Sequence, residues 1–95
     1  MVTNTPHTDR MPQTEMAQAA QLAVDQLKSL GIAAADHRLV EALNMLSESP
    51  DMWRMTFKLR RLIPERPGQE VGKGGETFIE VDLMTRSARL VGTGE

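Results

Sequence analysis

Residues 52–59 read MWRMTFKL, and their alternation decides the fold. Trp53, Met55, Phe57 and Leu59 fall on one side, and Arg54, Thr56, Lys58 and Arg60 on the other. Successive side chains of an extended chain point to opposite faces, so this is a half-buried strand with a solvated, basic outer face. The same period returns downstream, with Thr77, Ile79, Val81 and Leu83 facing inward and Phe78, Glu80 and Asp82 outward. Met84 to Ser87 then turns the chain, and Ala88 and Leu90 begin a third strand that ends near Val91. Arg61, Leu62 and Ile63 break the alternation, which places a bulge or the end of the first strand there.

Parity constrains how these strands pair, because inward residues must face inward residues. A register that sets Glu80 opposite Lys58 or Arg60 satisfies this condition, and so does one that sets Asp82 opposite Arg89. Cross-strand pairs of opposite charge contribute roughly 0.2–1 kcal/mol each. The basic run therefore has a structural explanation in the acids of its neighbour.

Upstream, Pro12 suits the first turn of a helix, where its missing N–H is not needed. Met16, Ala19, Ala20, Ala23, Leu27 and Leu30 recur at steps of three and four, with Gln18, Gln21, Asp25 and Lys28 opposite. That is one apolar stripe on an amphipathic helix. Gly31 stops it in a left-handed conformation, with Ile32 folding back onto the last turn. A second, shorter helix is expected next: Asp36 as its N-cap, Leu39, Ala42, Leu43 and Leu46 as its face, and Ser47, Ser49 and Pro50 as its end. The expected architecture is α+β, with two N-terminal helices packed on one face of a three-stranded antiparallel meander sheet. Residues 1–11 carry no hydrophobic period and read as a disordered tail, leaving 12–95 as a single α+β domain.

The core of such a domain is mostly aliphatic, since Trp53, Phe57 and Phe78 are the only aromatic residues among 95. Seven methionines supply flexible filling. The formal net charge of −2 argues against a general polyanion binder, which carries a clear basic excess. Without cysteine there is no disulfide, thiolate metal site or thiol nucleophile. No apolar run approaches the length of a membrane span, and the first dozen residues lack the apolar centre of a secretory signal, so the expected location is cytoplasmic, with no membrane partner.

The loop PERPGQEVGKGG, residues 64–75, resembles a phosphate-binding loop only superficially. Gly68 and Gly72 enclose three residues instead of four, Gly74 follows Lys73 where a Ser or Thr would bind metal, and a strand follows instead of a helix. His7 and His37 form no ligand spacing, and His37 reads as a surface residue. Glu80 and Asp82 share one strand face with Lys58, Arg60 and Arg89 as partners, which keeps them ionised and structural. No nucleophile elbow is present. The reading is therefore a non-enzyme without cofactor or metal.

Arg54, Lys58, Arg60, Arg61 and Arg66 concentrate the positive charge, and Arg54, Lys58, Arg60, Arg61 and Lys73 are the candidate partner-binding residues. A nucleic-acid sheet would need Trp53 and Phe57 exposed beside these cations to stack on bases, whereas parity places them on the opposite face.

The strings WRMTF at 53–57, GGETFIEVDLMT at 74–85 and ARLV at 88–91 together resemble the strand region of PepSY-like domains, which pair a helix with a small antiparallel sheet. They are also similar to the sheet of immunity proteins with a nuclear-transport-factor-like (cystatin-like) fold. Either resemblance implies a binding or inhibitory module and carries no catalytic motif. Arg86 stands where those families place a turn glycine, and because arginine tolerates positive φ poorly, a turn of another type is expected, such as a four-residue loop on type I geometry. The function expected is a small non-catalytic, bacterial-type interaction module that binds a protein partner or a second copy through an open sheet edge. The alternative is a nucleic-acid binder using the basic strand face.

Overall fold

The structure, a computed structural model, describes residues 12–66 and 68–94. The expectation of a disordered tail over 1–11, with His7 in it, lies outside these residues. The described chain forms helix α1 (Pro12–Ser29), a 3-10 turn (Ala34–Asp36), strands β1 (His37–Asn44) and β2 (Met52–Leu59), a second 3-10 turn (Arg60–Leu62), and strands β3 (Glu76–Asp82) and β4 (Ser87–Thr93). The strands make one antiparallel meander in the order β1-β2-β3-β4, with α1 packed across one face.

Helix α1 forms as its spacing requires. Ala19, Ala23 and Leu27 are fully buried along one line, while Gln18, Gln21, Asp25 and Lys28 are exposed. The two alanines leave room for the helix to lie close on the sheet. Met16 and Leu30, at the ends of the expected stripe, are exposed instead. Gly31 takes φ 78°, the Gly31 N–H donates to the Lys28 carbonyl (3.0 Å), and the Ile32 N–H donates to the Leu27 carbonyl (2.9 Å). Those two bonds are the Schellman motif, and Ile32 packs onto the core as expected.

Beneath the helix lie Trp53, Met55 and Phe57 of β2 and Ile79 and Val81 of β3, joined at the margins by Leu39, Ala42, Leu83 and Ala88. Leu27, Met55, Ile79 and Val81 are the largest fully buried side chains, each worth roughly 1.5–3 kcal/mol by burial.

The expected second helix is a strand. Residues 37–44 pair with β2, so the sheet has four strands and the helical layer has one helix. A bulge between Leu39 and Glu41 leaves Val40 unpaired. It lets Leu39 face Phe57 and Ala42 face Met55 on the same inner side, three positions apart. That spacing imitates a helical stripe. Leu43 lies opposite Arg54 on the outer face and Leu46 sits in the hairpin, both exposed. Asp36 ends a 3-10 turn and caps no helix.

Registers keep the expected parity with shifted partners. Trp53 faces Val81 and Met55 faces Ile79, which sets Glu80 opposite Arg54, not Lys58 or Arg60, and Glu76 opposite Lys58. Strand β2 leaves the sheet at Leu59, because the chain tightens into the 3-10 turn at Arg60. In the last hairpin Ala88 faces Val81, and Arg89 faces Glu80 instead of Asp82. The turn there spans Leu83–Arg86, one residue earlier than expected. Asp82 Oδ1 accepts from the Met84 N–H (2.9 Å), and Arg86 itself adopts φ 55°. The expectation that arginine would avoid positive φ is thus overturned: the four-residue turn places that residue in the left-handed region despite its side chain.

A surface variant and a core control test the strand reading of residues 37–46. Leu46→Ser is expected to change stability by less than about 0.5 kcal/mol, because that side chain is exposed. Phe57→Ala is expected to cost roughly 3–5 kcal/mol. Urea unfolding of both checks the assignment, and a large loss in Leu46→Ser would contradict it.

Candidate binding surface

The sheet face away from α1 carries charge in cross-strand rows. Arg54, Glu80 and Arg89 lie side by side on β2, β3 and β4. Arg54 Nη2 donates to Glu80 Oε2 and Arg89 Nη2 to Glu80 Oε1, both at 3.1 Å. One row along, Lys58 Nζ donates to Glu76 Oε2 and to the Gly74 carbonyl, both at 2.7 Å. Lys58 is 6% exposed and Glu80 9%, so this face is not the solvated basic surface expected from parity alone. Phe78, between those rows, lies over Gly92 of the edge strand, where no side chain covers the backbone.

These contacts hold both carboxyls ionised. Hydrogen bonding from Arg54, joined by Arg89, outweighs desolvation and holds Glu80 below the ordinary glutamate value of 4.5. The Lys58 hydrogen bond does the same for Glu76. A carboxylate clamped between two guanidinium groups is poorly suited to exchange protons near neutrality. The other acid of the expected pair, Asp82, caps the β3–β4 turn.

The glycines of the 64–75 loop have a packing role. Gly74 and Gly75 take φ 76° and 75°, which turns the Gly74 carbonyl onto Lys58, while the Gly75 carbonyl accepts from the Leu59 N–H (3.0 Å). A Cβ on Gly75 would lie 2.6 Å from Leu62 Cδ1, and one on Gly72 would lie 2.8 Å from Leu62 Cδ2. The Gly72 N–H also donates to the Leu62 carbonyl (2.9 Å).

The remaining candidates gather at one end of the sheet. The 3-10 turn after β2 presents Arg60 and Arg61, and the start of β1 brings Arg38 beside them. Arg60 Nε donates to the Ala35 carbonyl (3.0 Å), which anchors an otherwise exposed side chain. His37 donates from Nδ1 to the Ala33 carbonyl (2.8 Å) and so braces the 3-10 turn over Ala34–Asp36. Three adjoining depressions surround this point. One of about 390 Å³ lies among Arg38, Arg60, Ile63, Pro64 and Glu65. The second, of about 360 Å³, is lined by Asp36, Leu59, Arg60 and Arg61. A wider one of about 780 Å³ opens between Arg61 and the loop residues Arg66, Gln69 and Glu70.

The five candidate residues are therefore divided. Arg54 and Lys58 are consumed by ion pairs. Arg60 and Arg61 stand at the open end, and Lys73 is exposed on the loop without lining these depressions. Among the described residues no carboxylate lies within ion-pair distance of Arg38, Arg60, Arg61 or Arg66. Arg38 was invisible in the sequence because its segment read as a helix; an extended reading of 37–44 would have placed it opposite Lys58. Among the described residues no group of three His, Asp or Glu side chains could hold a metal, and no helix is long and apolar enough to cross a membrane.

The chain has no match among family models, curated proteins or solved structures.

The depressed carboxyls fix the sign of an acid response. A group with a lowered folded pKa stabilises fully above its unfolded value and loses that contribution as pH falls through the folded one. The melting temperature is expected to be steady above about pH 5 and to fall below the glutamate value of 4.5. Glu80→Gln is expected to cost on the order of 1–2 kcal/mol at pH 7, discounted for the exposure of its arginine partners, and to flatten the acid fall. Thermal melts across pH read both effects, and stability that rises on acidification would refute the assignment.

Proposed function

We propose that this chain is a small non-catalytic protein-interaction module, acting in the cytosol, that meets its partner through the arginine-rich end of the sheet. The observation that carries the reading is the contrast between two sets of cations. Arg54, Lys58 and Arg89 are paired with acids of the same sheet. Arg38, Arg60, Arg61 and Arg66 are exposed around shared depressions with no acid in ion-pair reach among the described residues. The non-catalytic part is supported by the acids themselves, since Glu80 is clamped by two arginines and Asp82 holds a turn. The resemblance of the strand region to binding and inhibitory modules points the same way.

Strand addition at an edge is less favoured than side-chain contact. Both edge strands are bulged, at Val40 in β1 and at Val91 in β4, and they carry Arg38, Glu41 and Arg89. Bulges and charges are the usual means of blunting an edge against pairing. Of the four cations available to a nucleic-acid binder on the basic strand, Arg60 and Arg61 stay exposed. Trp53 and Phe57 are buried beneath α1, and Arg54 and Lys58 are paired.

Affinity capture from lysate tests the reading, with the wild-type chain and an Arg60→Glu/Arg61→Glu variant as baits. A discrete protein partner, lost with the variant, is the expected outcome. Retention of the same partner by both baits would move the surface elsewhere, and capture of nucleic acid alone would overturn the protein reading.

A further inference from the structure

We infer that the arginine-rich end is a receptor for a carboxylate-bearing, extended peptide segment of the partner, one in which acidic residues alternate with apolar ones. The inference rests on the interaction-module reading and names the chemistry that the module recognises.

Every cation lining the three depressions is an arginine. The planar guanidinium fork matches a carboxylate with two parallel hydrogen bonds, which a lysine ammonium cannot reproduce. Arg60 is prepared for that contact. Its Nε is already committed to the Ala35 carbonyl, so less side-chain freedom is lost when the terminal amines bind. Arg38 lines the depression of about 390 Å³ with it, together with Ile63 and Pro64. Arg61 lines the neighbouring depression with Arg60 and Leu59. Arginines that share their depressions with apolar side chains suit a chain that presents carboxylates at intervals, with methylenes and apolar side chains between them. Val40, exposed in the bulge two residues beyond Arg38, extends the apolar contact along β1.

The same surface discriminates against a nucleic-acid backbone. Asp36, Glu65 and Glu70 stand among the four arginines, so the positive potential is interrupted and not continuous. A phosphodiester chain has regular, closely spaced charge and gains affinity in proportion to the phosphates it can neutralise. The net charge of −2 on the whole chain adds a long-range repulsion that a longer polyanion feels more than a short peptide does.

The test is a titration of the isotope-labelled full chain with a short, capped peptide of alternating glutamate and valine, followed by nuclear magnetic resonance. The matched glutamine–valine peptide and a thymidine oligonucleotide serve as competing probes. Saturable shifts are expected at the Arg38, Arg60 and Arg61 side chains and at the Ile63 and Glu65 amides. Affinity is expected to fall by about tenfold or more in Arg60→Glu and in Arg38→Glu, and also in Arg60→Lys, which keeps the charge and loses the fork. The amide spectrum of each variant reports whether it remains folded, and Arg38→Glu leaves the Arg60–Ala35 contact in place. Equal binding of the glutamine peptide, or no localised shift with either peptide, would overturn the inference. Tighter binding of the oligonucleotide through the same arginines would reassign the site to nucleic acid. Lysate capture that depends on these arginines, beside a failed peptide titration, would sink the acidic-segment inference and leave the interaction module standing.

Discussion

The structure depends on the contact between the Ala19–Ala23–Leu27 line of α1 and the inner faces of β2 and β3. Those strands present Trp53, Met55, Phe57, Ile79 and Val81 to a single helix, and no other described helix shares the task. In a chain of this size net stability is a small remainder between large opposing terms, so this one apolar layer has to be closely packed. Alanine at two of the three fully buried helix positions is what permits the approach. The Gly31–Ile32 stop then fixes where the helix ends and adds Ile32 to the same layer.

On the opposite face the same two central strands carry a second, electrostatic layer. Because β3 lies between β2 and β4, Glu80 is reached from both sides and binds two arginines with its two oxygens. Glu76 is reached by Lys58, which also ties the glycine loop to the sheet through Gly74. The charges on the middle of the face are thereby occupied by internal work. Among the described residues, arginines beyond the end of β2 have no such neighbour, and Leu59, Ile63 and Pro64 share their depressions.

The sequence showed β2, β3, β4 and α1 with their inward faces. It misread β1 for a definite reason. Leu39 and Ala42 are both inward because Val40 bulges, and a bulge converts the two-residue step of a strand into a three-residue step that looks helical. Cross-strand partners were legible only in parity. A two-residue slip keeps every side chain on its face, so the pattern alone could not choose between Lys58 and Arg54 as the neighbour of Glu80. Of the binding surface, Arg60 and Arg61 were named from sequence, while Arg38 depended on seeing its segment extended.

Local chemistry determined what the sequence by itself could settle: the helix and its left-handed stop, and the inward and outward residues of three strands. These follow from side-chain periodicities of 3.6 and 2 and from the freedom of glycine at positive φ, which need no distant partner. The tertiary structure decided the fourth strand, the register, the positive φ of Arg86, the packing role of Gly72 and Gly75, and which cations pair with acids of the sheet. Each of these is set by what lies across a strand or beneath a loop, and segments distant in the chain become neighbours only when the core closes.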